Sequence, residues 1–79
     1  MPNRNIRLLV ETEPLLEYMN HTYPEETYRE CGARLGIARD RYQRLTSREK
    51  MSYWNADRFA VHLGLHPSLI WVNWFEIGN

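Results

Sequence analysis

The stretch Thr27–Thr46, TYRECGARLGIARDRYQRLT, decides how this chain folds. It reads as two short helices hinged at Gly36, the second carrying Arg39, Arg41 and Arg44. Cys31 and Leu35 stand one helical turn apart, as do Tyr42 and Leu45, with Ile37 between the pairs. Side chains three or four apart share a helix face, so these five residues form a packing set. Thr27 followed by Glu30 has the spacing of a capping box. Gly32 is small enough for a second helix to cross closely, and Gly36 can adopt the positive φ of a tight turn. Together these meet the requirements of a helix-turn-helix motif, with its second helix over about 38–45.

Outward from the motif, the chain divides into short elements. Residues 1–11 run from a polar tip into Ile6, Leu8, Leu9 and Val10, an N-terminal arm that is either a short strand or an extended cover. Thr12-Glu13-Pro14 is a helix start: Thr12 can accept from orphan amides, Pro14 has no amide to waste, and Glu13 suits the positive end. Helix 1 then runs to about Asn20 with Leu15, Leu16 and Met19 inward, and the ring of Tyr23 tucks under the helices from the following loop. Thr46 to Ser52 reads as a polar connection with two candidate caps, Ser47 and Ser52. Helix 4 spans about 53–63 with Ala56, Phe59, Ala60 and Leu63 on one face and Gly64 as its stop. Pro67 starts a fifth helix reaching about Phe75. The sum is an all-α, compact five-helix domain over residues 12–79, behind the arm of residues 1–11.

Composition narrows the function classes. A chain of 79 residues supports one domain with one modest core, and 43% apolar content with three Trp predicts a folded globule. The apolar runs are far too short to span a bilayer, and the basic start lacks an export signal, so a cytoplasmic location is expected. Asn20-His21-Thr22 then matches a glycosylation acceptor by chance. The lone Cys31 reads as a small buried hydrophobe. His62 and His66 are four apart, but Gly64 interrupts them and no third ligand is near, so His66 reads as a cap or turn residue. No paired carboxylates, activated nucleophile, phosphate loop or zinc spacing stands out. Neither an enzyme nor a metal or other cofactor is expected.

Formal net charge is zero, yet the charge is segregated. Between Tyr28 and Lys50 lie seven cations and three carboxylates, a net +4, while the rest of the chain carries −4. One face toward phosphates and another away from them would produce this split; a merely solvated charged surface is the plainer reading.

From Thr27 onward the chain resembles the Cro/repressor-type helix-turn-helix domains of phages and bacteria. The residues that carry the likeness are Glu30-Cys31-Gly32-Ala33-Arg34-Leu35-Gly36-Ile37, then Arg39, Tyr42, Arg44 and Leu45. After a linker come Ala56-Asp57-Arg58-Phe59-Ala60 and Leu63-Gly64-Leu65-His66-Pro67. The block Trp54 to Trp74 is similar to small helix-turn-helix proteins of actinobacteria and their phages, as is Glu13-Pro14-Leu15-Leu16. The likeness covers about two thirds of the chain. It implies a lambda-repressor-like fold, a bacterial host cell and transcription regulation through DNA. Two departures stand out: the family commonly has Ala at Gly32 and often Gln at Tyr28.

In such folds the second helix of the motif enters the major groove. With Tyr42 and Leu45 turned to the core, the resemblance implies base reading by Ala38, Arg39, Asp40, Gln43 and Arg44. Arg39 and Arg44 suit guanine, Gln43 suits adenine and Ala38 a thymine methyl. Asp40 either accepts from cytosine or orients a neighbouring Arg. Tyr28, Arg41, Arg48 and Lys50 are placed for phosphates. Trp54 and at least one of Trp71, Trp74 and Phe75 are expected in the core. Trp71, Trp74 and Phe75 fall on one helical face as a candidate homodimer surface, which would bring two reading helices to a palindromic operator in double-stranded DNA. The competing expectation is a protein-binding module, antirepressor-like or host-interacting, that kept the fold and lost the DNA contact.

Overall fold

Four α-helices and a two-stranded sheet make up the protein over residues 8–77, which its computed structural model describes. In chain order they are β1 (Leu9–Glu11), α1 (Glu13–Thr22), α2 (Tyr28–Leu35), α3 (Arg39–Thr46), β2 (Lys50–Ser52) and α4 (Tyr53–His62). Two single-turn 3-10 segments follow, at Pro67–Leu69 and Trp74–Glu76. No helix among the described residues is long and apolar enough to cross a membrane. Residues 1–7 of the expected arm lie outside the described chain.

The α2–turn–α3 unit forms by the local chemistry read from its sequence. The Thr27 hydroxyl accepts from the Glu30 amide at 3.1 Å, and the Glu30 carboxylate accepts from the Thr27 amide at 2.8 Å, a complete capping box. At the other end Gly36 takes φ 78°. Its amide donates to Ala33, and the Ile37 amide donates to the Gly32 carbonyl at 2.9 Å, so two orphan carbonyls are satisfied as the chain reverses. α2 then packs against both α3 and α4.

The core gathers one apolar face from each helix: Leu15 and Met19 of α1, Cys31 and Leu35 of α2, Tyr42 and Leu45 of α3, and Ala56, Phe59 and Ala60 of α4. Val10 and Met51 join it from the strands, and Ile70, Trp71 and Trp74 from the C-terminal segment. The half-buried Tyr23 ring packs edge-on to Tyr18, and the Arg34 guanidinium lies 3.8 Å over it. Arg34 is in turn held by paired bonds of 2.6 and 2.7 Å to Glu26. That pairing keeps the Glu26 carboxyl below its usual range.

Four expectations are corrected. First, the polar connection is in part a strand: Lys50–Ser52 pairs antiparallel with Leu9–Glu11 of the arm, for which a strand is one of the two readings, with Val10 opposite Met51 and Glu11 opposite Lys50. Each strand buries one residue and exposes those flanking it, at least in part. Three-residue strands carry too little alternation to be seen in sequence, and their pairing depends on residues some forty positions apart.

Second, Thr12 does not cap α1. Its hydroxyl is buried without a hydrogen-bond partner among the described residues, while its amide extends the sheet by donating to the Glu49 carbonyl at 2.9 Å. α1 also continues to Thr22, past the expected end at Asn20.

Third, no fifth α-helix spans Pro67 to Phe75. The chain makes a 3-10 turn, breaks over 70–73, and turns again. Val72 and Asn73 are poor helix formers, and the Trp71 indole N–H is held by the Glu11 carbonyl of β1 at 2.7 Å. The observed architecture is therefore mostly helical with a small sheet rather than five helices.

Fourth, Trp54 is 67% exposed, whereas Trp71 and Trp74 are 2% and 5% exposed. Trp54 falls on the outer side of α4, with the Arg58 guanidinium 5.8 Å over its ring. Tyr53 takes the inner position instead and stacks on Trp74 at 4.0 Å.

Candidate functional site

α3 starts without a side-chain cap, Ala38 standing extended before its first turn. Its buried side is Tyr42 and Leu45, and Ala38, Arg39, Asp40, Gln43 and Arg44 are all exposed. The division into packing and outward residues matches the sequence reading. Among the outward residues one set is tied together: Arg39 Nη1 donates to Asp40 Oδ1 at 3.3 Å and to Gln43 Oε1 at 3.2 Å. Asp40 thus orients Arg39, one of its two expected roles. An exposed pair of this kind adds little stability, so its effect is on geometry. With its carbonyl oxygen accepting from Arg39, Gln43 keeps its amide –NH2 as a donor.

Arg44 stands at the edge of that set and faces a second feature. It lines a cavity of about 290 Å³ together with Arg41, Arg48 and Lys50. Ser52 and Asn55, where β2 passes into α4, complete the polar wall, and Ile37, Met51 and Phe59 are among the apolar lining. Lys50 Nζ lies 3.1 Å from Glu11 Oε2 across the sheet. Among the described residues Arg41, Arg44 and Arg48 have no carboxylate partner, and Arg41 sits 6.0 Å over the Phe59 ring. Three of the four expected phosphate residues therefore converge with one expected base reader. Ser52 and Asn55 were not among the sequence candidates, because only tertiary packing brings their segment to the same cleft as α3.

Tyr28, the fourth, is apart from this cleft. It opens α2, is 44% exposed, and packs its ring edge-on to Tyr42 at 5.5 Å. Burial, with the Cys31 thiol beside it, pushes the Tyr42 phenol well above its usual range. Tyr42 is thus a neutral packing residue that supports α3 from behind.

The candidate dimer residues separate. Trp71 and Trp74 are core side chains of the single chain, while Phe75 is 70% exposed and stacks on His66 at 5.5 Å. His66 Nδ1 accepts from the Ser68 amide at 3.1 Å, the turn role expected of it. His62 packs against the Gly36 turn, where a β-carbon would come within 2.8 Å of its ring. No group of three or more His, Cys, Asp and Glu among the described residues could hold a metal ion.

No family model, curated protein or solved structure matches this chain.

Proposed function

We propose that the protein binds double-stranded DNA with sequence preference, as a transcription regulator of the Cro/repressor type, laying α3 in the major groove. The observation that carries this reading is the set of exposed side chains on α3: Arg39 and Gln43 are held in one hydrogen-bonded group, and Arg44, next in the chain, is exposed as well. Arg39 and Arg44 would read guanine and Gln43 adenine, with Ala38 against a thymine methyl. Asp40 positions Arg39, and Arg41, Arg48 and Lys50 hold the backbone. Tyr28, at the start of α2, adds a hydroxyl toward a phosphate. Selection of bound sequences from a random duplex library tests the reading. An enriched motif supports it, and two-fold symmetry in that motif would support a homodimer with reading helices ~34–36 Å apart. Binding that ignores sequence, or no binding at low salt, would sink it.

A second reading, a protein-binding module on the same fold, draws on the apolar side chains left outside: Val61, Leu69 and Val72 are 66%, 68% and 93% exposed. Failure to bind duplex at low salt, with saturable capture of a protein partner lost on Leu69→Asp, would favour it.

A further inference from the structure

We infer that the cleft between α3, β2 and α4 is a phosphate-binding site. It takes one phosphate group, either a diester of a nucleic-acid backbone or a monoester of a small metabolite. Only the first source rests on the function proposed above.

Three separate elements bring the charges together. Arg41 and Arg44 come from α3, Arg48 from the connection, and Lys50 from β2, where the Glu11–Lys50 register pins it. Like charges around one cavity repel, and an anion placed among them turns that repulsion into attraction. Glu11 faces Lys50 alone, and the guanidinium groups of Arg41, Arg44 and Arg48 have no carboxylate partner among the described residues.

The cavity's lining favours the same ligand. Arginine forks match the oxygens of a phosphate with paired, charge-assisted hydrogen bonds. Ser52 Oγ accepts from the Asn55 amide at 3.0 Å, which leaves the Ser52 proton to donate into the cleft. Phe59 and Met51 are buried beneath and lower the local dielectric, which strengthens each charge–charge contact. A volume of about 290 Å³ holds a phosphate and part of its carrier. It lies at the small end of ligand pockets, too small for a large cofactor.

The test is an NMR titration of the full chain, following arginine Nε–H resonances, with inorganic phosphate and with chloride at equal ionic strength. The expected result is a saturable shift confined to Arg41, Arg44 and Arg48 with phosphate and not with chloride. Arg41→Gln with Arg48→Gln should weaken that binding at least about tenfold. Arg48→Gln alone, whose exposed side chain leaves the core untouched, should give a smaller loss with an unchanged amide spectrum. Linear shifts shared with Arg29 and Arg58, or wild-type titration by the double variant, would overturn the inference.

A nucleoside monophosphate and a short duplex then separate the sources. Displacement of phosphate from the cleft by duplex supports a backbone site. Displacement by the nucleotide with duplex silent supports a metabolite site and counts against DNA binding. A duplex that moves Arg39 and Gln43 while the cleft stays unmoved and phosphate never saturates overturns the inference and leaves DNA binding standing.

Discussion

The Ile37 carbonyl oxygen lies 2.8 Å from where a β-carbon on Gly32 would stand. Real β-carbons do not approach backbone oxygen that closely, and the Ala38 carbonyl oxygen and Tyr42 Cβ crowd the same point at 3.3 and 3.4 Å. The absence of a side chain at Gly32 is therefore what lets the turn and the start of α3 fold back onto α2. An Ala at this position would not fit without a shift of backbone.

Gly32→Ala should for that reason destabilise the fold despite its better helix propensity. Overpacking costs about 1–3 kcal/mol, against a propensity gain of about 1 kcal/mol. A lower midpoint in urea denaturation, with an unchanged slope, is the expected result. A more stable variant would show that the turn can move aside.

The exchange of places between the tryptophans predicts opposite outcomes for two truncations. Trp71→Ala removes a buried indole and its 2.7 Å bond to Glu11, and should cost about 3–5 kcal/mol, enough to unfold a small domain. Trp54→Ala, on the exposed side of α4, should stay within about 0.5 kcal/mol of the parent. Thermal melts of both variants check the pair, and equal losses would place Trp54 in the core after all.

Glu26 gives a pH dependence with a definite sign. Its folded pKa is depressed by the Arg34 hydrogen bonds. Its contribution is therefore present above the ordinary carboxylate range and lost as pH falls through the depressed value. Glu26→Gln should remove this acid step from a stability-versus-pH curve while leaving the other carboxylates to titrate. An unchanged curve would mean that the pair is broken in solution.

On the proposed function, Arg44→Ala and Arg48→Ala should differ in kind. Arg44→Ala should cost roughly 1–3 kcal/mol on the preferred sequence and relax the choice of base. Arg48→Ala should weaken all duplexes alike and lower the salt slope by about 1. Binding isotherms over a salt series, on preferred and scrambled duplexes, separate the two effects. Equal losses on both duplexes for Arg44→Ala would strike Arg44 from the base-reading set and leave it only its place in the phosphate cleft.

What was legible in advance followed distance along the chain. The Thr27–Glu30 capping box, the αL turn at Gly36, the Ser52 cap of α4 and the inward set Cys31, Leu35, Tyr42 and Leu45 all formed as read. Each depends on residues within one or two helical turns of one another. The exposed positions of α3 followed from the same periodicity, because fixing which side packs also fixes which side does not. The grouping within that face did not follow: Arg41 and Arg44 share a cleft only because β2 and the start of α4 close its far side.

The amino-acid sequence by itself determined the helices around the central motif, since caps, turn glycines and 3.6-residue periodicity act through neighbours in the chain. Only the tertiary structure decided that Leu9–Glu11 and Lys50–Ser52 are strands, that Trp71 rather than Trp54 fills the core, and that four cations surround one cavity. Those outcomes rest on partners far apart in sequence, such as Trp71 and Glu11, sixty positions from one another. No local pattern records such pairings, because their energy appears only once the chain has closed the loop between them.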